Sequence, residues 1–175
     1  MVDLRDNIAD HLGGLESLTS KIPGYSGYKD KEMRREADGL LRQHLAAQLA
    51  EQLSRAEDVS SQMLTGPGIS QLDEMGQGNT RLQTLIDKVK TAAQGYAGFF
   101  DAVKVKEEQL DILYEFDERM LHQVDEIGAA IDGVQSALDG EDTSTIGPSV
   151  RRYVKTVTDA STLFDKRKDA ILGLA

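Results

Sequence analysis

The chain has 175 residues, of which 39% are hydrophobic and 29% charged, with only three prolines. This mixture suits one domain of long amphipathic helices rather than a compact sheet protein. A net charge of −10 argues against general nucleic-acid binding, since Lys and Arg supply phosphate affinity, and the absence of cysteine excludes disulfides, thiolate zinc sites and cysteine nucleophiles.

The start, Met1-Val2-Asp3-Leu4-Arg5-Asp6, lacks a basic segment followed by an apolar run, so no signal peptide is expected. No stretch reaches the ~18–20 apolar residues that span a bilayer. A soluble, cytoplasmic protein is the expectation.

The first predicted helix runs from about Asp3 to Ser20, with Leu4, Ile8, Leu12, Leu15 and Leu18 at helical spacing, and stops at Ile22-Pro23-Gly24. The second runs from near Gly27 to Thr65, and Met33, Ala37, Leu41, Leu45, Leu49, Leu53, Ala56 and Met63 mark one face. Gly66-Pro67-Gly68 ends it. A third follows from about Ser70 to Ala93, with Ser70 and Asp73 as a capping pair and Asn79 in an otherwise apolar seam. The fourth spans Asp101 or Lys106 to Leu138, where Met120, Val124, Ile127, Ile131, Val134 and Leu138 keep a strict four-three spacing. The fifth opens near Gly147-Pro148 and presents Val150, Val154, Val157, Phe164 and Ile171.

Gly24-Tyr25-Ser26-Gly27-Tyr28 precedes the second helix, and Gly95-Tyr96-Ala97-Gly98-Phe99 precedes the fourth. Each is followed by a long helix, a Gly-Pro and a further helix, as a tandem helical hairpin would be. The simpler reading is that glycine and aromatics recur at loops. The expected fold is all-α: an elongated antiparallel helical bundle of four main helices plus an N-terminal helix, in a single domain. Its parts are residues 1–22, a first hairpin over 24–94 and a second over 95–175. An up-down-up-down arrangement brings both glycine–aromatic segments to one end, gathering Tyr25, Tyr28, Tyr96, Phe99 and Phe100, five of the nine aromatic residues.

A di-iron site in such a bundle needs Glu-x-x-His on two helices. His11, His44 and His122 have no acidic residue three positions earlier. A three-histidine zinc site remains geometrically open, but a solvated histidine is the simpler reading. The acidic pairs Glu107-Glu108, Asp117-Glu118, Asp125-Glu126 and Glu141-Asp142 diverge by about 100° on a helix and read as solvated faces. No phosphate cradle and no nucleophile elbow is found. No catalytic, cofactor or metal residue is expected.

Basic residues are clustered: Lys29, Lys31, Arg34 and Arg35 open the second helix, Arg151, Arg152 and Lys155 the fifth, and Lys166, Arg167 and Lys168 lie near the C-terminus. Cations at a helix start oppose its dipole, which suggests a use in gripping an acidic partner. The simpler reading pairs them with Glu32, Glu36 and Asp38 on adjacent turns.

The run Ile22-Pro23-Gly24-Tyr25-Ser26-Gly27-Tyr28-Lys29-Asp30-Lys31-Glu32-Met33-Arg34-Arg35-Glu36-Ala37-Asp38 resembles a segment of a small uncharacterised family of prokaryotic helical proteins. The stretch Phe99-Phe100-Asp101-Ala102-Val103-Lys104-Val105-Lys106-Glu107-Glu108 is similar to a second shared segment. The resemblance implies a bacterial or archaeal source and no particular activity.

The functional expectation is a non-catalytic scaffold or adaptor that binds a protein partner, or itself. Tyr25, Tyr28, Lys29, Arg34, Arg35, Tyr96, Phe99 and Phe100 would form the contact surface, since aromatics with arginine are typical interface anchors. Buried, the same rings would simply plug the bundle end. The alternatives are a peripheral protein that binds anionic lipid at that end, and a metal-binding bundle.

Overall fold

The computed structural model describes residues 15–27, 34–92 and 107–172. Helix α1 runs through residues 15–21. The main helices are α2 (Arg34–Met63), α3 (Leu72–Thr91), α4 (Glu107–Asp139) and α5 (Ile146–Leu172). Short 3₁₀ turns, Ile69–Gln71 and Thr143–Thr145, lead into α3 and α5. No strand occurs among the described residues. The all-α bundle expected from the apolar spacing is what forms.

Around the bundle the order is α2, α3, α5, α4, so α2 and α5 lie on one diagonal and α3 and α4 on the other. Successive helices run antiparallel, but the two hairpins lie side by side in the same direction. Arg55 on α2 pairs with Asp132 on α4, and the Gln62 and Gln135 amides exchange hydrogen bonds of 3.1 and 3.0 Å. On the other side Tyr153 meets Asn79, Arg81 meets Thr158 and Lys88 meets Asp165. These cross-pairs all join residues 73–77 apart in sequence, so α2 is parallel to α4 and α3 to α5.

The apolar faces converge on one core. It contains Leu41, Leu45 and Leu49 of α2, Leu82, Ile86 and Val89 of α3, Val124, Ile127, Ile131 and Val134 of α4, and Val150 and Val157 of α5. Each such aliphatic side chain, buried rather than exposed, contributes roughly 1.5–3 kcal/mol. Gly128 lets α4 approach α2 closely, against Gln52 and Arg55. Nearer the helix starts, Leu18, Ile22 and Tyr25 of α1 and the segment after it are buried in the same core.

Two local expectations change. Gly27 does not begin α2: its φ of +80° belongs to the left-handed region, which ends rather than extends a right-handed helix. A side chain there would also meet the Tyr114 hydroxyl at 2.6 Å. Ser70 does not cap α3. It lies within the 3₁₀ turn, and the cap position falls on Gln71, which makes no side-chain capping bond.

Candidate functional site

At the end where α2 and α4 begin, four charged side chains form a connected chain across the interior. Arg42 Nε donates to Asp38 Oδ2 at 2.7 Å. The other Asp38 oxygen lies 2.9 Å from Arg167 Nη1. Arg167 Nε in turn donates to Asp117 Oδ1 at 2.8 Å. Arg42 Nη1 also reaches the Lys90 carbonyl at 3.4 Å, so the chain ties α2, α3, α4 and α5 together. Arg167 is 0% exposed and Asp38 and Asp117 are buried with it. Two arginines alternate with two aspartates, so opposite charges offset the cost of leaving water.

This corrects two expectations. Asp117 does not belong to a solvated acidic face, and Arg167 is not part of a surface cluster with Lys166. Both occupy slots in apolar seams. Tyr153, Val157, Ala160, Phe164 and Arg167 follow a four-three spacing on α5, as Leu113, Asp117, Met120 and Val124 do on α4. Two opposite charges in matching core slots at one bundle end were the sequence signal that could have revealed the network.

A second polar chain crosses higher up. Tyr153 donates through its hydroxyl to Asn79 Oδ1 at 3.0 Å. Asn79 Nδ2 donates to Ser60 Oγ at 3.0 Å, and Ser60 donates to the Ala56 carbonyl. Burial, with Glu57 nearby, raises the Tyr153 pKa far above its usual value, so the phenol stays neutral. Asn79 thus fills its seam slot as a bonded bridge between α2 and α5.

Of the residues expected to meet a partner, Tyr25 is 5% exposed and belongs to the core, so its ring offers no contact area. Arg34 and Arg35 stand at the start of α2. Tyr28, Lys29, Tyr96, Phe99 and Phe100 lie outside the described residues, as does His11. His122 is exposed and lies 3.9 Å from Glu126. His44 is half-buried, and its Nε2 is enclosed without a hydrogen-bond partner. Burial lowers its pKa, and the Lys21 cation lowers it further. Among the described residues no group of three His, Asp or Glu side chains could hold a metal ion. No helix there is long and apolar enough to cross a membrane.

The opposite end of the bundle carries the two short turns. Leu64 and Ile69 are 56% and 60% exposed, the most exposed large apolar side chains described. Composition and spacing gave no hint of them, because a loop leucine looks the same in sequence whether it is covered or bare.

No family model, curated protein or solved structure matches this chain.

Proposed function

We propose that this chain is a non-catalytic scaffold or adaptor that holds a protein partner at the end where α2 and α4 begin. The parallel pairing of α2 with α4 carries this reading. It brings Arg34 and Arg35 to the end from which α4 also starts. Helix α3 finishes there too, with Lys90 beside Arg42. The two aromatic-bearing segments are therefore each tethered to this end on both sides, at residues 27 and 34 and at residues 92 and 107. Tyr28, Lys29, Tyr96, Phe99 and Phe100 belong to these two segments in sequence and, with Arg34 and Arg35, would supply the contact surface. The buried charge network braces the four helices beneath it, as a rigid binding surface requires.

A photo-crosslinking amino acid placed at position 28 or 35 in native cells tests this. Discrete protein adducts are expected from both, absent when Thr162 on the outer face of α5 carries the probe. Combining Tyr28→Ala with Arg34→Ala should abolish the adduct at 35 without unfolding the bundle. Adducts from position 162 alone, or an unchanged adduct in the folded double variant, would overturn the assignment. Flotation of the purified protein with anionic but not neutral vesicles would replace it with the lipid-surface reading.

A further inference from the structure

At the opposite end of the molecule lies a surface of different chemistry. The α2–α3 connection is held by backbone hydrogen bonds from Thr65 to Gln62, from Gly66 to Met63 and from Gln71 to Gly68. Gly68 is pressed so closely against Met63 and Leu138 that an added Cβ would lie 2.8 Å from a Leu138 methyl. The turn is thus built onto the end of α4. Leu64 and Ile69 project from it, with Pro67 exposed between them. The turn thus holds two branched aliphatic side chains in water.

The rim of this tip is predominantly acidic. Residues 62–74 carry Asp73 and Glu74, and residues 136–147 carry Asp139, Glu141 and Asp142. Against them stand Arg151 and Arg152 of α5, with the Arg151 guanidinium beside Gly147 and Gln71. Asp142 accepts from the Ser144 amide at 3.0 Å and from the Ser144 hydroxyl at 2.6 Å, which fixes the second turn and depresses the carboxyl pKa. Two tips brought face to face would oppose one net negative surface with another. Nucleic acid and anionic lipid would meet the same repulsion.

We propose that the Leu64–Ile69 tip is a second docking surface, which takes a basic protein segment presenting an apolar side chain between lysines or arginines. An edge of a basic amphipathic helix has this chemistry. Its apolar residue covers Leu64 and Ile69 while its cations meet Glu141, Asp142 and Asp73. The surface is independent of the end proposed above. With both, the protein would join two partners along its long axis.

The test uses the full chain and two synthetic amphipathic helices with the same leucine face, one bearing lysine and the other glutamate at its polar positions. The lysine helix is expected to bind, to shift the methyl resonances of Leu64 and Ile69, and to weaken as salt rises. The double variant Leu64→Ser, Ile69→Ser should lose affinity on the order of tenfold, the scale of burying exposed aliphatic side chains. Both residues are exposed, so its far-UV spectrum and unfolding midpoint should match the wild type. Equal binding of the lysine helix to wild type and double variant would assign it to the general negative charge and overturn the proposal. So would equal binding of the two helices, or binding of neither. Self-association of the wild type, lost in the double variant, would make the tip an interface between copies and overturn it as well.

Discussion

Arg167 occupies a core slot that its neighbours on α5 fill with apolar side chains, and its charge is tolerated only because Asp117 and Asp38 meet it there. Truncating it leaves two aspartates without that cation in a dry interior. Arg167→Ala should therefore cost about 3–5 kcal/mol, measured by urea denaturation. Replacing Arg167, Asp38 and Asp117 together with apolar residues of similar volume should cost less than the single truncation, because no uncompensated charge remains. Two glycines of α3 make a second contrast. An added Cβ at Gly78 would lie 2.5 Å from the Tyr153 ring, whereas one at Gly76 meets nothing within 4 Å. Gly78→Ala should destabilise by roughly 1–3 kcal/mol through overpacking. Gly76→Ala should stabilise by about 0.5–1 kcal/mol by removing a glycine's helix penalty. Thermal unfolding of the two variants checks both signs. Neither the network nor the Gly78 notch can be read from one helix alone, since each depends on which residue faces it from another helix.

At the scale of elements, apolar periodicity located the helices well. The seam expected for α4 is the one buried, and its observed end at Asp139 falls one residue from the expectation. Differences cluster at starts, where glycine conformation and turn type decide: neither Gly27 nor Ser70 opens its helix. Helix α1 shows a further element-scale property. Its Leu18 and the following Ile22 are in the core, while Lys21 approaches His44 of α2. The folded state favours neutral His44, holding its pKa below the ordinary histidine value of 6.5. The unfolded chain therefore binds a proton first as pH falls. This contribution to stability is fully present above 6.5 and is lost as pH drops from there through the folded pKa. Unfolding midpoints between pH 8 and pH 5 should fall for the wild type, and fall less for His44→Gln. An equal slope in both would show that His44 does not carry the dependence.

For the whole molecule, an up-down-up-down order was legible, but the sideways arrangement of the hairpins was not. Periodicity shows which face of a helix is buried, not which helix covers it. Parallel neighbours predict a distance test that suits a cysteine-free chain. Gln62→Cys with Gln135→Cys should be joined rapidly by a short bis-maleimide. Gln62→Cys with Glu115→Cys should not, since the latter lies roughly 30 Å further down α4 at 1.5 Å per residue. The reverse pattern would mean that α2 and α4 run in opposite directions. The two proposed surfaces were legible only in part: sequence drew attention to the basic and aromatic end, while the opposite tip emerged from the exposure of Leu64 and Ile69 and from the seating of Gly68 against Leu138.

The near-constant separation of 73–77 residues between paired positions also bears on how the protein reaches its native state. Each hairpin closes through a turn of a few residues, so its halves find each other early and at little entropic cost. Contacts between the hairpins join residues much further apart in sequence, and such non-local contacts slow folding. Since the two hairpins run in the same direction, sliding one past the other by a helical turn would preserve much of the apolar contact. The Gly78–Tyr153 fit and the Arg167–Asp38 pair each favour one alignment, so they specify the register.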